Sequence, residues 1–359
     1  MTVAWLWLNG PPGVGKSAAG FALFERLVER GESVAFVELD QIGMCMPAPT
    51  AARSAAKADN LLGMLDNFAE AGAYGVIVCG DIVETMRDLL TRAREEPVLC
   101  RLRADDDVTV ERLTIRASVH YAMSSSVYES YDVPAGDLDV TTHPLGVDEV
   151  AAEIVRRLGP WPSAPTVTEV PAPPAPSVVD GSSAILVTGP RAVGTSMVAW
   201  QVLMASVASG HCTGYLDLEQ LGFLPAALQE ASLATKLANV ATCWAGFRDQ
   251  GAERLVLCGH VDGHELSAVR EPMPSLRVVA LTAAPDTLLE RAGRRNRQKD
   301  IWLPGDDLFG RDDAYLREVV GQAATFEPEH ADLVVETDGL TPADIAARIT
   351  PLWPGAATS

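Results

Sequence analysis

The chain has 359 residues, 48% of them hydrophobic, and a formal net charge of −20, so it can bury two or three ordinary cores. That acidity excludes nucleic acid and anionic membrane surfaces as partners, because like charges repel, and a phosphate ligand has to be held by local donors. No apolar run reaches membrane-spanning length, the N-terminus lacks a basic leader, and the six cysteines form no C-x-x-C pair. The expected setting is cytoplasmic, with buried free thiols.

In chain order, the apolar run Val3–Leu8 predicts a buried strand. Gly10-Pro11-Pro12-Gly13-Val14-Gly15-Lys16-Ser17 follows, and a helix opens at Ser17. This is G-x-x-x-x-G-K-S in strand–loop–helix context, the phosphate-binding P-loop. Glycines let several backbone N–H groups converge on one phosphate, and the helix N-terminus adds partial positive charge. Lys16 would reach the β- and γ-phosphates, and the Ser17 hydroxyl would ligate Mg²⁺.

A second strand, Ser33–Leu39, ends in Glu38-Leu39-Asp40-Gln41, whose two acids alternate onto one side. Ala58–Glu70 predicts a helix with Leu61, Leu65 and Phe68 on one face. Strand Tyr74–Cys79 runs into Gly80-Asp81. An acid there suits Mg²⁺ held through water, or the cap of a helix starting near Val83. Helix Thr85–Arg94 and strand Val98–Leu102 come next, then Glu111-Arg112 and Arg116, one helical turn apart on a shared face. Ser118–Asp132 holds no Lys or Arg, and strand Leu138–Thr141 and helix Val147–Leu158 close the series. Alternating strands and helices imply a parallel sheet covered on both faces, with ligands at the carboxyl ends of the strands.

The P-loop recurs 179 positions later as Gly189-Pro190-Arg191-Ala192-Val193-Gly194-Thr195-Ser196. The same offset pairs Gln41 with Gln220, Lys57 with Lys236, Asn60 with Asn239, Cys79-Gly80 with Cys258-Gly259, and Glu111-Arg112 with Glu290-Arg291. A constant offset over such a span predicts two copies of one domain. They would occupy 1–159 and 182–359, with a proline-rich linker at 160–181. The expected strands of the second copy are Ala184–Thr188, Thr213–Leu218, Arg254–Cys258, Leu276–Leu281 and Ala331–Val335, and a last helix starts near Thr341-Pro342. The copies differ: Thr195 stands where Lys16 does, Arg191-Ala192 where Pro12-Gly13 do, and His260 where Asp81 does. Acidity persists as Asp217 and Glu219 opposite Glu38 and Asp40, and a basic cluster spans Arg294–Lys299.

On these motifs the chain resembles the P-loop kinase superfamily, with an arrangement similar to adenylylsulfate kinase, chloramphenicol phosphotransferase and the nucleoside monophosphate and shikimate kinases. The resemblance implies an α/β fold of two P-loop NTPase (kinase-like) domains. Each would be a parallel sheet of about five strands with helices on both faces, the second copy degenerate. It implies ATP (or GTP) with Mg²⁺ as cofactors and γ-phosphate transfer to a hydroxyl or phosphate of a small metabolite or nucleotide-like acceptor. Gly10, Gly13, Val14, Gly15, Lys16 and Ser17 would hold the triphosphate, Ser17 and Asp81 the metal. Asp40 would be base or orienter, and Arg112 and Arg116 would neutralise charge. Arg291, Arg294, Arg295 and Arg297 would form a lid in the second copy, whose Gly189, Arg191, Gly194, Thr195 and Ser196 would retain at most an anion site. The alternative is a nucleotide-binding regulatory or scaffold protein.

Overall fold

The apolar run behind the first glycine loop becomes the middle strand of a five-stranded sheet. In this computed structural model the first half runs β1 (Ala4–Asn9), α1 (Lys16–Glu29), β2 (Val34–Glu38), β3 (Cys45–Met46), α2 (Thr50–Glu70) and β4 (Gly75–Cys79). It continues with α3 (Met86–Arg92), β5 (Val98–Arg103), α4 (Asp106–His120), β6 (Leu138–Thr141) and α5 (Val147–Leu158). The second half holds β7 (Ala184–Thr188), α6 (Thr195–Ala208), β8 (Thr213–Asp217), α7 (Ser232–Asp249), β9 (Arg254–Cys258) and α8 (Gly263–Arg270). After these come β10 (Arg277–Thr282), α9 (Pro285–Arg297), α10 (Asp313–Ala323), β11 (Leu333–Glu336) and α11 (Pro342–Ile349). The structure describes residues 2–48, 50–81, 86–120, 136–162, 183–297, 303–323, 326, 328 and 330–353. The expected linker, 160–181, lies outside them beyond residue 162, as do the helix start near Val83 and most of Ser118–Asp132.

The first sheet has strand order β2-β4-β1-β5-β6 with every pairing parallel. Its strands β1, β2 and β4 are buried on both faces, which is why they read as nearly unbroken apolar runs, while β5 and β6 are part-exposed. Trp5, Trp7, Ala35, Val37, Val76 and Val78 point to the α2 side, where Leu61, Met64 and Phe68 meet them. The alternate residues Leu6, Leu8, Phe36, Ile77 and Cys79 pack under α1 with Leu23 and Leu27. This two-residue alternation lets each strand fill two cores at once.

The second sheet repeats the order as β8-β9-β7-β10-β11, but the expectation of about five parallel strands is corrected. It is a mixed sheet of six, because β3 leaves the first half and pairs antiparallel with β8, Cys45 opposite Gly214 and Met46 opposite Thr213. The outer edge of β8 offers unpaired backbone groups, and β3 satisfies them. The exchange runs both ways. The Tyr215 N–H donates to the Met44 carbonyl (2.8 Å), and the Phe36 N–H donates to the Phe223 carbonyl (3.2 Å). These two bonds are equivalent under the 179-residue offset.

Helices α2 and α7 lie together in the largest apolar cluster, which draws on both sheets. Asn67 Nδ2 donates to Asn239 Oδ1 (2.9 Å) and Thr242 Oγ1 (3.1 Å), and Cys243 Sγ touches Met64 Sδ at 3.9 Å. Met64 and Cys243 are themselves 179 positions apart, so a residue here meets its own counterpart across a local twofold.

Candidate active site

The first glycine loop curls because two of its residues adopt left-handed backbone: Gly13 at φ 82° and Gly15 at φ 99°. Space also demands glycine at 13, where a Cβ would sit 2.8 Å from Leu113 Cγ and 2.9 Å from the Thr109 carbonyl. The Val14 N–H closes the turn on the Pro11 carbonyl at 3.2 Å. Helix α1 starts at Lys16 and has no side-chain cap, so its first N–H groups face the loop.

Lys16 folds over this loop. Its Nζ donates to the Gly10 carbonyl (2.7 Å) and the Pro11 carbonyl (3.2 Å) and lies 3.5 Å from Asp81 Oδ1. The lysine is only 11% exposed, yet it borders the loop and not an apolar core. Asp81 reaches it because β4 ends beside β1, at the same end of the sheet as the loop.

Beneath the loop lies the acid that alternates with Asp40. Glu38, the last residue of β2, is 5% exposed and leaves its Oε2 buried without a partner. Burial is the main cause that pushes its pKa up to about 8, and the negative charge of Asp40 adds to it. Ser17, Lys16 and Lys57 pull the other way. Gly80, at φ 118°, makes room for this carboxyl: a Cβ there would fall 2.9 Å from Leu39 Cβ and 3.3 Å from Glu38 Oε1.

Asp40, the acid favoured from sequence, is 69% exposed and accepts from Lys57 Nζ at 2.6 Å. The turn that carries it is held from below by Asn60, fully buried on α2, whose Nδ2 donates to the Ile42 carbonyl at 2.7 Å. Arg112 faces the back of the loop, donating to the carbonyls of Val14 (3.2 Å) and Gly13 (3.5 Å) and to Thr142 Oγ1 (3.3 Å). Arg116 belongs to α4, but its side chain lies outside the described residues.

The second loop keeps the shape of the first and satisfies itself. Gly194 is left-handed at φ 100°, and Ala192 holds the same region at φ 65°, a conformation that costs a residue with a Cβ about 1–2 kcal/mol. His260 Nδ1 contacts the Gly189 carbonyl at 3.0 Å, the counterpart of the acceptor that Lys16 engages in the first loop. Ser196 donates to Asp217 Oδ2 at 2.9 Å, while Tyr215 Oη and Cys258 Sγ meet at 3.2 Å beside them. Arg191 is ion-paired with Asp307, which also accepts from Tyr315 Oη at 3.1 Å.

Three of the residues expected as a lid, Arg291, Arg294 and Arg295, are engaged within their own half. Arg291 repeats the bracing role of Arg112, donating to the Val193 carbonyl and Thr337 Oγ1, both at 2.8 Å. Arg294 pairs with Glu290 (3.1 Å) and Arg295 with Asp306 (2.7 Å). Arg297 is exposed on α9 beside Gly293, and Lys299 lies outside the described residues.

No family model and no curated protein matches the chain. Solved structures do resemble it. The APS kinase of Mycobacterium tuberculosis, solved with AMPPNP and APS, is 20% identical over 44% of this chain and 98% of its own, with a TM-score of 0.32. A gluconokinase of Sinorhizobium meliloti is 16% identical over 49% and 93% at 0.31. The shikimate kinase of Bacteroides thetaiotaomicron is 17% identical over 47% and 97% at 0.30. Each is similar in backbone course to about half of this chain.

Proposed function

We propose that the chain is an ATP-dependent phosphotransferase acting on a small hydroxyl-bearing acceptor. Residues 1–159 form the catalytic unit, 160–181 the linker, and 182–359 a degenerate copy of the same domain. The observation that carries this reading is the grouping at the first loop of Lys16, Ser17, Asp81 and the orphaned carboxylate oxygen of Glu38.

Among the described residues no cluster of three or more His, Cys, Asp and Glu suits a metal held by protein alone. Mg²⁺ at nucleotide sites takes one or two carboxylates, a hydroxyl and the phosphates themselves, so Ser17 and Asp81 fit it. Bound with the triphosphate, it would neutralise charge on the transferring phosphoryl group.

The protein's own part follows from the geometry. The loop N–H groups and the start of α1 receive phosphate oxygens, and Lys16 exchanges the Gly10 and Pro11 carbonyls for the β- and γ-phosphates. Glu38, with a proton affinity near neutrality, is the group to take the acceptor's proton. Asp40 keeps Lys57 at the rim and, through its charge, raises the basicity of Glu38. Arg112 stiffens the loop from behind.

The test is a metabolite panel incubated with the full chain, ATP or GTP, and Mg²⁺, read by mass for ADP or GDP and a phosphorylated product. Acceptor-stimulated turnover with a product one phosphoryl group heavier is expected. Triphosphate binding with no acceptor-dependent turnover would favour the regulatory reading, which the self-satisfied second loop also supports.

A further inference from the structure

Cys45 and Cys212 lie 167 positions apart in sequence, yet their sulfurs meet at 3.6 Å. Their meeting is a consequence of the strand exchange. Cys45 opens β3, Cys212 immediately precedes β8, and the antiparallel register that sets Cys45 opposite Gly214 puts Cys212 two rungs along, diagonally across on the same face of the sheet. We infer that Cys45 and Cys212 are a disulfide-forming pair that, when oxidised, covalently staples the strand exchanged from the first half to the sheet of the second.

Geometry supports the bond. A disulfide needs its sulfurs about 2.05 Å apart, so these must close by about 1.5 Å. The segment that has to move is a two-residue strand at a sheet edge. Three of the other four thiols have different neighbours: Cys79 donates to the Lys16 carbonyl, Cys243 touches Met64 and Cys258 meets Tyr215.

The order of events follows from access. Cys45 is buried, and burial, together with the adjacent Cys212, pushes its pKa up to about 12. It is therefore a poor first nucleophile. Cys212 is half-buried and is the entry point. Its thiolate attacks one sulfur of a small-molecule disulfide, expels one thiolate and leaves a mixed disulfide. Cys45 then gives its proton to solvent, attacks Cys212 Sγ and expels the second thiolate. Two protein thiols lose two electrons, and the small disulfide is reduced to two thiols.

The experiment treats the full-length folded chain with glutathione disulfide, blocks residual thiols, and maps peptides without reduction. The expected result is a peptide joining Cys45 to Cys212, with titratable thiols falling from six to four. The oxidised protein should melt at higher temperature than the reduced one, and the shift should be missing in Cys212→Ser. A stable glutathione adduct on Cys212 with Cys45 still free would overturn the inference, as would cross-links confined to other pairs.

Discussion

A carboxyl closed away from water holds its proton wherever burial outweighs the pull of nearby cations, and Glu38 is in that position, with a pKa raised to about 8. The sign of the consequence is fixed by linkage. The folded chain keeps a proton that the unfolded chain releases at the ordinary value of 4.5, so stability from this group is lost as pH rises from about 4.5 to about 8. Glu38→Gln, neutral throughout, should flatten that slope and gain on the order of 1–3 kcal/mol over wild type at pH 8. Denaturant midpoints at pH 5 and pH 8 measure it, and an unchanged slope in the variant would refute the assignment. The same substitution should cost on the order of 10²–10⁴-fold in acceptor-dependent turnover once an acceptor is known, with Asp40→Asn costing far less. Lys16 gives a complementary test. Its amine is held by loop carbonyls and Asp81, so Lys16→Ala should weaken triphosphate affinity at least about tenfold, or about 1.4 kcal/mol, while the thermal midpoint stays near wild type. Equal affinity in titration calorimetry would remove the lysine from the site.

At the scale of elements, the exchange of β3 for the Phe223 segment joins the two sheets. Phe223 meets Phe21, Phe36 and Phe24 with ring centroids 5.1, 5.6 and 6.4 Å away, an edge-on cluster beneath the outer strand β2. Phe223→Ala removes a partly buried ring and should destabilise the chain by about 2 kcal/mol, below the ~3–5 kcal/mol of a fully buried Phe because part of the ring stays in water. Equilibrium denaturation measures this, and a cost below about 0.5 kcal/mol would mean the ring merely lies on the surface. This exchange was the least legible feature of the sequence. Cys45-Met46 is too short to show a two-residue period, and its partner strand is far away in the chain. Strands β1, β2 and β4 of the first sheet were legible because burial on both faces turns them into nearly continuous apolar runs. Glu38 was half legible. Its alternation with Asp40 placed both acids on one side, but only the fold shows that Asp40 pairs with Lys57 in the open while Glu38 is buried.

Across the whole molecule the two halves share strand order, and Met64 meets Cys243 on a local twofold, yet their loops are chemically opposite. The first presents an amine whose carbonyl partners a phosphate can replace. The second has each counterpart group engaged: His260 on the Gly189 carbonyl, Ser196 on Asp217, and Arg191 on Asp307. An anion entering there would have to displace contacts worth about 1 kcal/mol each, without the lysine charge that compensates in the first loop. The expected stoichiometry is therefore one Mg-dependent triphosphate per chain. Calorimetry on the full chain with a non-hydrolysable ATP analogue should give a single site, and Lys16→Ala should weaken it at least about tenfold. Arg191→Ala should leave both stoichiometry and affinity unchanged, because Asp307 draws that guanidinium away from the loop. A second site of similar affinity that survives Lys16→Ala and disappears with Arg191→Ala would show that Arg191 leaves Asp307 to serve as the second loop's cation.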